Sequence, residues 1–106
     1  MDEANAAVMH LTREQYQVWT ELGQKIREGL EAALREGASP AGEAGKELTA
    51  LHRRWLTLSG MQYDPEKHRG IAELYVADER FTGYYDRTVP GCARFLRDAV
   101  LRWAGV

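Results

Sequence analysis

Between Tyr16 and Leu34 the apolar residues Tyr16, Trp19, Leu22, Ile26, Leu30, Ala33 and Leu34 recur at steps of three and four. That is the period of one face of an α-helix. Thr12 and Gln15 stand at capping-box spacing, Leu11 is placed to staple onto Tyr16, and Gly37 supplies a left-handed stop. The pattern predicts a helix from Arg13 to Glu36 with Trp19 in the core. Glu21 with Lys25, Arg27 with Glu31 and Glu31 with Arg35 are opposite charges four apart, which predicts an ordinary solvated outer face.

The stretch from Gly37 to Gly45 holds three glycines and one proline and predicts an inter-helix loop, the best hinge candidate in the chain. Ser39 and Pro40 suit a cap and first helical position. A second helix runs to about Ser59, with Ala44, Leu48, Leu51, Trp55 and Leu58 on one face, His52 beside it, and Arg53 and Arg54 turned outward. Gly60 breaks it. Asp64 then caps a third helix with Pro65 at its first position, ending near Ala77, and Tyr63 is set to staple against His68. Asp78 caps a short fourth helix bearing Phe81, Tyr84 and Tyr85, which Gly83 weakens. Thr88 or Val89, followed by Pro90, opens the last helix, where Cys92, Phe95, Leu96, Ala99, Val100 and Trp103 form an apolar stripe. No stretch alternates with period two, so the fold class is all-α with about five helices. Residues 1 to 10 show no clear period and read as a loosely docked arm carrying a solvated His10.

Composition narrows this to one domain spanning residues 1–106: 106 residues with 44% hydrophobic and 28% charged leave no room for a second core. Stability must then come from a few large side chains, each contributing about 2–3 kcal/mol when fully buried. Three Trp, five Tyr and two Phe are available. The net charge is −2, with 14 basic and 16 acidic residues intermixed. There is no basic stripe to neutralise phosphates, so direct nucleic-acid binding is not expected. Cys92 is the single cysteine, which excludes an internal disulfide and suits a reducing compartment. The Met1 segment lacks the pattern of a secretory signal and no stretch approaches membrane-spanning length. A cytoplasmic protein without membrane contact is the expectation.

Catalytic signatures are missing. There is no glycine-rich phosphate loop, no Gly-x-Ser-x-Gly elbow and no His-Glu-x-x-His pattern, so the chain reads as a non-enzyme without catalytic residues, metal or cofactor. A zinc site on His52 and His68 would need carboxylates from unrelated positions. A Cys92, His68 and Asp86 nucleophile set can be written down, but a cysteine within an apolar helical stripe is ordinarily a small buried hydrophobe. What remains is the density of aromatics from Met61 to Phe95: Tyr63, Tyr75, Phe81, Tyr84, Tyr85 and Phe95, together with His68. Such a surplus suits a cleft for a large, flat or cyclic apolar ligand, where rings stack and tyrosine hydroxyls orient. The alternative is that these rings are core and an apolar helix face mediates docking to a partner or a homodimer.

Several spaced motifs carry a resemblance. Leu51-His52-Arg53-Arg54-Trp55, Tyr63-Asp64, His68-Arg69-Gly70-Ile71-Ala72-Glu73-Leu74-Tyr75, Asp78-Glu79-Arg80-Phe81, Tyr85-Asp86 and Gly91-Cys92-Ala93-Arg94-Phe95-Leu96-Arg97-Asp98-Ala99 together resemble the TipAS antibiotic-recognition domain. The resemblance implies an all-helical, globin-like arrangement. It also implies binding of thiopeptides or other bulky, often macrocyclic, antibiotics in a cleft between helices. His52, Trp55, Tyr63, His68, Tyr75, Phe81 and Tyr85 would then line or frame that cleft. Family members serve as effector domains of MerR-type drug-responsive regulators or as stand-alone drug-sequestering proteins. The 106 residues hold no winged-helix or coiled-coil segment, so action at a promoter by this chain itself is not expected. Glu79 stands where an Asp-Pro-Arg-Phe pattern is common, and Cys92 where leucine is usual. The resemblance implies that family members can trap thiopeptides covalently on a cysteine, but Cys92 does not match that position, so any adduct is expected to be noncovalent. Haem ligation by His52 or His68 is a weaker alternative raised only by the globin-like layout.

Overall fold

The computed structural model describes residues 11–106, so the expected arm at 1–10 and His10 lie outside the described residues. Among the described residues there are five helices and no strand: α1 (Arg13–Arg35), α2 (Glu43–Leu58), α3 (Pro65–Ala77), α4 (Glu79–Asp86) and α5 (Cys92–Trp103). The all-α class expected from the apolar periodicity is what the chain adopts.

Local chemistry explains most of the boundaries. At the start of α1 the Thr12 hydroxyl accepts from the Gln15 amide at 3.1 Å, while the Gln15 side chain accepts from the Thr12 amide at 2.9 Å. Two donors that a helix start leaves unpaired are satisfied reciprocally. Asp64 caps α3 by accepting from Glu66 N at 2.8 Å, with Pro65 in the first position. Asp78 both ends α3 and caps α4. Its backbone is extended and its carboxylate accepts from Arg80 N at 2.9 Å.

Two helix starts differ from the sequence expectation. Ser39 and Pro40 do not open α2; they form a turn in which the Ser39 hydroxyl accepts from Ala41 N and the Ser39 carbonyl from Gly42 N. The reason is tertiary. The Pro40 carbonyl accepts from the Trp103 indole at 3.1 Å and lies so close to Gly45 that a β-carbon there would meet it at 1.8 Å. The helix therefore begins at Glu43, with Gly42 as its cap. Likewise α5 begins at Cys92 rather than at Pro90. Gly91 takes φ 97°, and the capping is supplied from a distance by Asp86, which accepts from Gly91 N at 3.0 Å and Ala93 N at 2.9 Å.

The last helix is the hub: α5 packs against each of the other four. Its Leu96, Ala99 and Val100 are wholly buried, and Leu96 and Val100 share one core cluster with Ile26 and Leu30 of α1 and Ala72 of α3. Helices α1 and α2 pair with each other, and α4 rests mainly on α3 and α5. This leaves the middle of α2 and α3 to meet inside, which is where the polar residues of interest converge.

Candidate functional site

The α2 and α3 stripes place His52 and His68 face to face in the interior, both with no exposed surface. The sequence pattern puts His52 beside the apolar face of α2; instead it lies fully inside, because its partners arrive from α3. His52 Nδ1 and His68 Nε2 are 2.9 Å apart, His52 Nε2 is 3.1 Å from the Tyr75 hydroxyl, and His68 Nδ1 is 2.8 Å from the Tyr63 hydroxyl. Tyr85 packs beside Tyr75 with ring centroids 5.0 Å apart. The result is one chain of polar groups, Tyr63, His68, His52 and Tyr75, in which all four imidazole nitrogens are engaged.

Electrostatics holds this chain neutral. Burial pushes His52 down to about 3, helped by the neighbouring His68. Burial, with Arg53 and Arg69 nearby, pushes His68 down to about 4. Removing an imidazolium from water is costly, so neutral rings with hydrogen bonds are the state that fits. Burial also raises the Tyr75 hydroxyl to about 12 and lifts Tyr85 well above its ordinary value. These hydroxyls are hydrogen-bonding groups and not bases at neutral pH.

A second relationship runs through the same rings. Trp19 stacks on Trp55 with centroids 4.8 Å apart, Trp55 on His52 at 5.7 Å, and His52 on His68 at 5.0 Å, with planes within 18–20° of parallel. Tyr16 extends the ladder outward from Trp19 at 5.9 Å and is 43% exposed. Offset stacks of this kind contribute about 0.5–1.5 kcal/mol each beyond their area. Packing this close needs Gly23, because a β-carbon there would meet the Trp55 indole nitrogen at 3.0 Å. On the other side Tyr75 touches Phe81 and Tyr85, and Tyr85 touches Tyr84.

All seven residues singled out from the sequence thus belong to one network, but at different depths. His52, His68, Tyr75 and Tyr85 are buried, Trp55 and Tyr63 are half-buried, and Phe81 lies at the surface. The expected apolar staple of Tyr63 onto His68 takes the form of a hydrogen bond with the rings edge to face, and Arg53 lies 4.0 Å over the Tyr63 ring.

Arg27 and Glu31 are not singled out by the sequence pattern, which assigns their pair to a solvated face. Yet Glu31 is only 8% exposed and the Arg27 side chain is similarly covered. Arg27 Nε and Glu31 Oε2 stand 3.8 Å apart and, like Trp19 Nε1, are buried without a hydrogen-bond partner. A buried polar atom left so costs about 1–3 kcal/mol. The available signal is spacing: Trp19, Gly23, Arg27 and Glu31 follow one another at four-residue steps, a single row on α1.

The comparison with protein families decides what kind of domain carries this network. Residues 1–103 match the model of the TipAS antibiotic-recognition domain. The chain belongs to that family. Similar curated proteins are the HTH-type transcriptional activators TipA of Streptomyces coelicolor and of Streptomyces lividans, each 36% identical over 70 residues. The match covers 65% of this chain and 28% of each relative, so the shared part is little more than a quarter of the relatives' length. No solved structure matches the chain. In this TipAS domain Cys92 has no exposed surface, and burial beside Asp86 and Glu31 pushes its thiol up to about 11. No described helix is long and apolar enough to cross a membrane.

Proposed function

We propose that the domain binds a bulky, hydrophobic, thiopeptide-like or otherwise macrocyclic antibiotic against its aromatic network, as a drug sensor or drug-sequestering module without catalysis. Family membership supplies antibiotic recognition in general. The observation that carries the finer reading is the gradation of the ring network. A buried floor of His52, His68 and Tyr75, joined by hydrogen bonds and extended by the Tyr85 ring, is flanked by rings that still reach solvent, Tyr16 and Tyr84 at 43% and Phe81 at 36% exposure. Exposed rings next to a rigid floor offer stacking area at small cost in side-chain entropy. The relatives are named as transcriptional activators, which suggests that such binding is read out as gene control when the domain is joined to a DNA-binding one.

The test is a tryptophan-fluorescence titration with a panel of macrocyclic antibiotics, paired with a thermal-shift measurement. Trp19 and Trp55 stand in the ladder, so a bound macrocycle is expected to quench or shift emission and raise the Tm. A flat response across the panel, with a dimer of unchanged size in light scattering, would instead mark the domain as a protein-interaction module.

A further inference from the structure

We propose that Trp19, Arg27 and Glu31 form a polar recognition strip on α1 that pairs with backbone-type amides of the ligand. The proposal rests on the antibiotic-binding reading above and adds which side chains read the ligand and what chemistry they demand. Trp19 Nε1 and Arg27 Nε are donors and Glu31 Oε2 is an acceptor, and all three are enclosed with no hydrogen-bond partner. Folded proteins satisfy nearly all such atoms, so three on one helix row mark a place where a partner of matching polarity would be held. The Arg27 and Glu31 atoms, 3.8 Å apart, are too distant to bond each other. Together they present a donor beside an acceptor, the complement of a peptide unit, which offers a carbonyl to the guanidinium and an N–H to the carboxylate.

Spacing restricts the ligand further. Trp19 and Arg27 are eight residues apart on one helix, about 12 Å along its axis. A ligand answering both ends must carry acceptors that far apart, as a multi-amide macrocycle does and a single-ring drug does not. Access is through Tyr84. This ring is 43% exposed, the Arg27 guanidinium carbon lies 5.8 Å from its centre, and Arg87 lies 5.6 Å from the same ring. Helix α4, which carries Tyr84, is eight residues long and rests mainly on α3 and α5, so a small displacement of it would open the Arg27 end of the strip, while the Trp19 end lies against Trp55.

The experiment titrates the unaltered protein, Glu31→Gln and Trp19→Phe with a thiopeptide, and with a polyketide macrolide of similar size but without peptide amides. Trp19→Phe deletes the indole donor and is expected to raise the thiopeptide Kd about tenfold or more, whereas Glu31→Gln keeps an acceptor oxygen but loses the charge that strengthens the bond and is expected to raise it about fivefold. Macrolide binding, where present, is expected to change less than threefold, roughly the scatter of context effects. Trp19→Phe removes no polar bond of the free protein but shortens the stack on Trp55, so the free-protein Tm should fall by about 5 °C at most while the thiopeptide Kd rises. A purely structural role would lower Tm and leave Kd alone. Thiopeptide affinity indifferent to both variants overturns the strip while leaving the antibiotic reading intact. Failure of the unaltered protein to bind any macrocycle overturns both. If Glu31→Gln does not fold, Trp19→Phe alone decides, and a structure of the complex in which water joins Arg27 to Glu31 counts against the proposal.

Discussion

His52 Nδ1 and His68 Nε2 lie 2.9 Å apart in the interior, so the two neutral imidazoles share a single proton between them. Each outer nitrogen is tied to a tyrosine hydroxyl, Tyr75 for His52 and Tyr63 for His68. If His52 holds the shared proton on Nδ1, His68 Nε2 is bare and its proton sits on Nδ1. If His68 holds it on Nε2, His52 must be protonated on Nε2. The two rings are therefore expected always to carry the same tautomer, both Nδ1–H or both Nε2–H. Nitrogen-15 chemical shifts of the two imidazoles measure this directly, and one ring of each kind would refute the shared bond.

Acid should destabilise the domain through the same pair. Both histidines have folded-state values, about 3 and about 4, below the ordinary 6.5. The unfolded chain then binds more protons than the folded one over that window, so stability is fully present above about pH 6.5 and is lost as pH falls toward 4. The groups around the pair are Arg53 and Arg69, which oppose protonation, and the hydroxyls of Tyr63 and Tyr75. Each imidazole loses about 2 kcal/mol of its contribution between pH 6.5 and 4.5, so a drop in Tm of at least roughly 15 °C is expected across that interval. A Tm flat across that interval would mean that the imidazoles titrate normally.

The glycines make a contrasting pair. Gly45→Ala places a methyl group 1.8 Å from the Pro40 carbonyl, a backbone atom that cannot move aside. We expect a loss of roughly 3 kcal/mol or more, seen as a large fall in the denaturation midpoint. Gly83 sits inside α4 with open space, nothing within 4 Å, where a β-carbon would stand. Gly83→Ala is expected to stabilise by about 0.5–1 kcal/mol through helix propensity.

Asp86 is a remote cap. Asp86→Ala leaves the Gly91 and Ala93 amides at the start of α5 without their acceptor and should cost about 1–2 kcal/mol. Asp86→Asn keeps an oxygen and should recover part of this. Equal stability of all three proteins in urea would show that the cap contributes nothing.

Cys92 should be inert in the native state. With no exposed surface and its thiol raised to about 11, it is expected to react with a disulfide reagent only at the rate at which the domain opens. Any drug adduct should accordingly be noncovalent, with the bound mass lost on denaturation in mass spectrometry.

Much of this architecture was legible in the chain. The caps at Thr12, Asp64 and Asp78 depend on residues two or three positions away, and the stripe of α1 depends on period alone, so local reading reached them. Where the deciding partner is distant, local reading failed. Ser39 and Pro40 fit a helix start and a turn equally well, and the choice is made by Gly45 and by Trp103, 63 residues from Pro40. His52 moves from the edge of its helix to the interior because His68 and Tyr75 come from α3. Arg27 and Glu31 illustrate a different limit. Opposite charges four apart look the same whether water or protein covers them, so only burial could separate a solvated pair from an enclosed one.

The position of α5 bears on how the domain is made. It packs extensively against each of the other four helices and is the last of the five to be synthesised. While it is still within the ribosome, Ile26, Leu30 and Ala72 lack the apolar face of α5 to close against, and the Pro40 carbonyl lacks its Trp103 donor. The nascent chain up to Gly91 therefore lacks the apolar face that completes its core, which can close only once the final helix emerges.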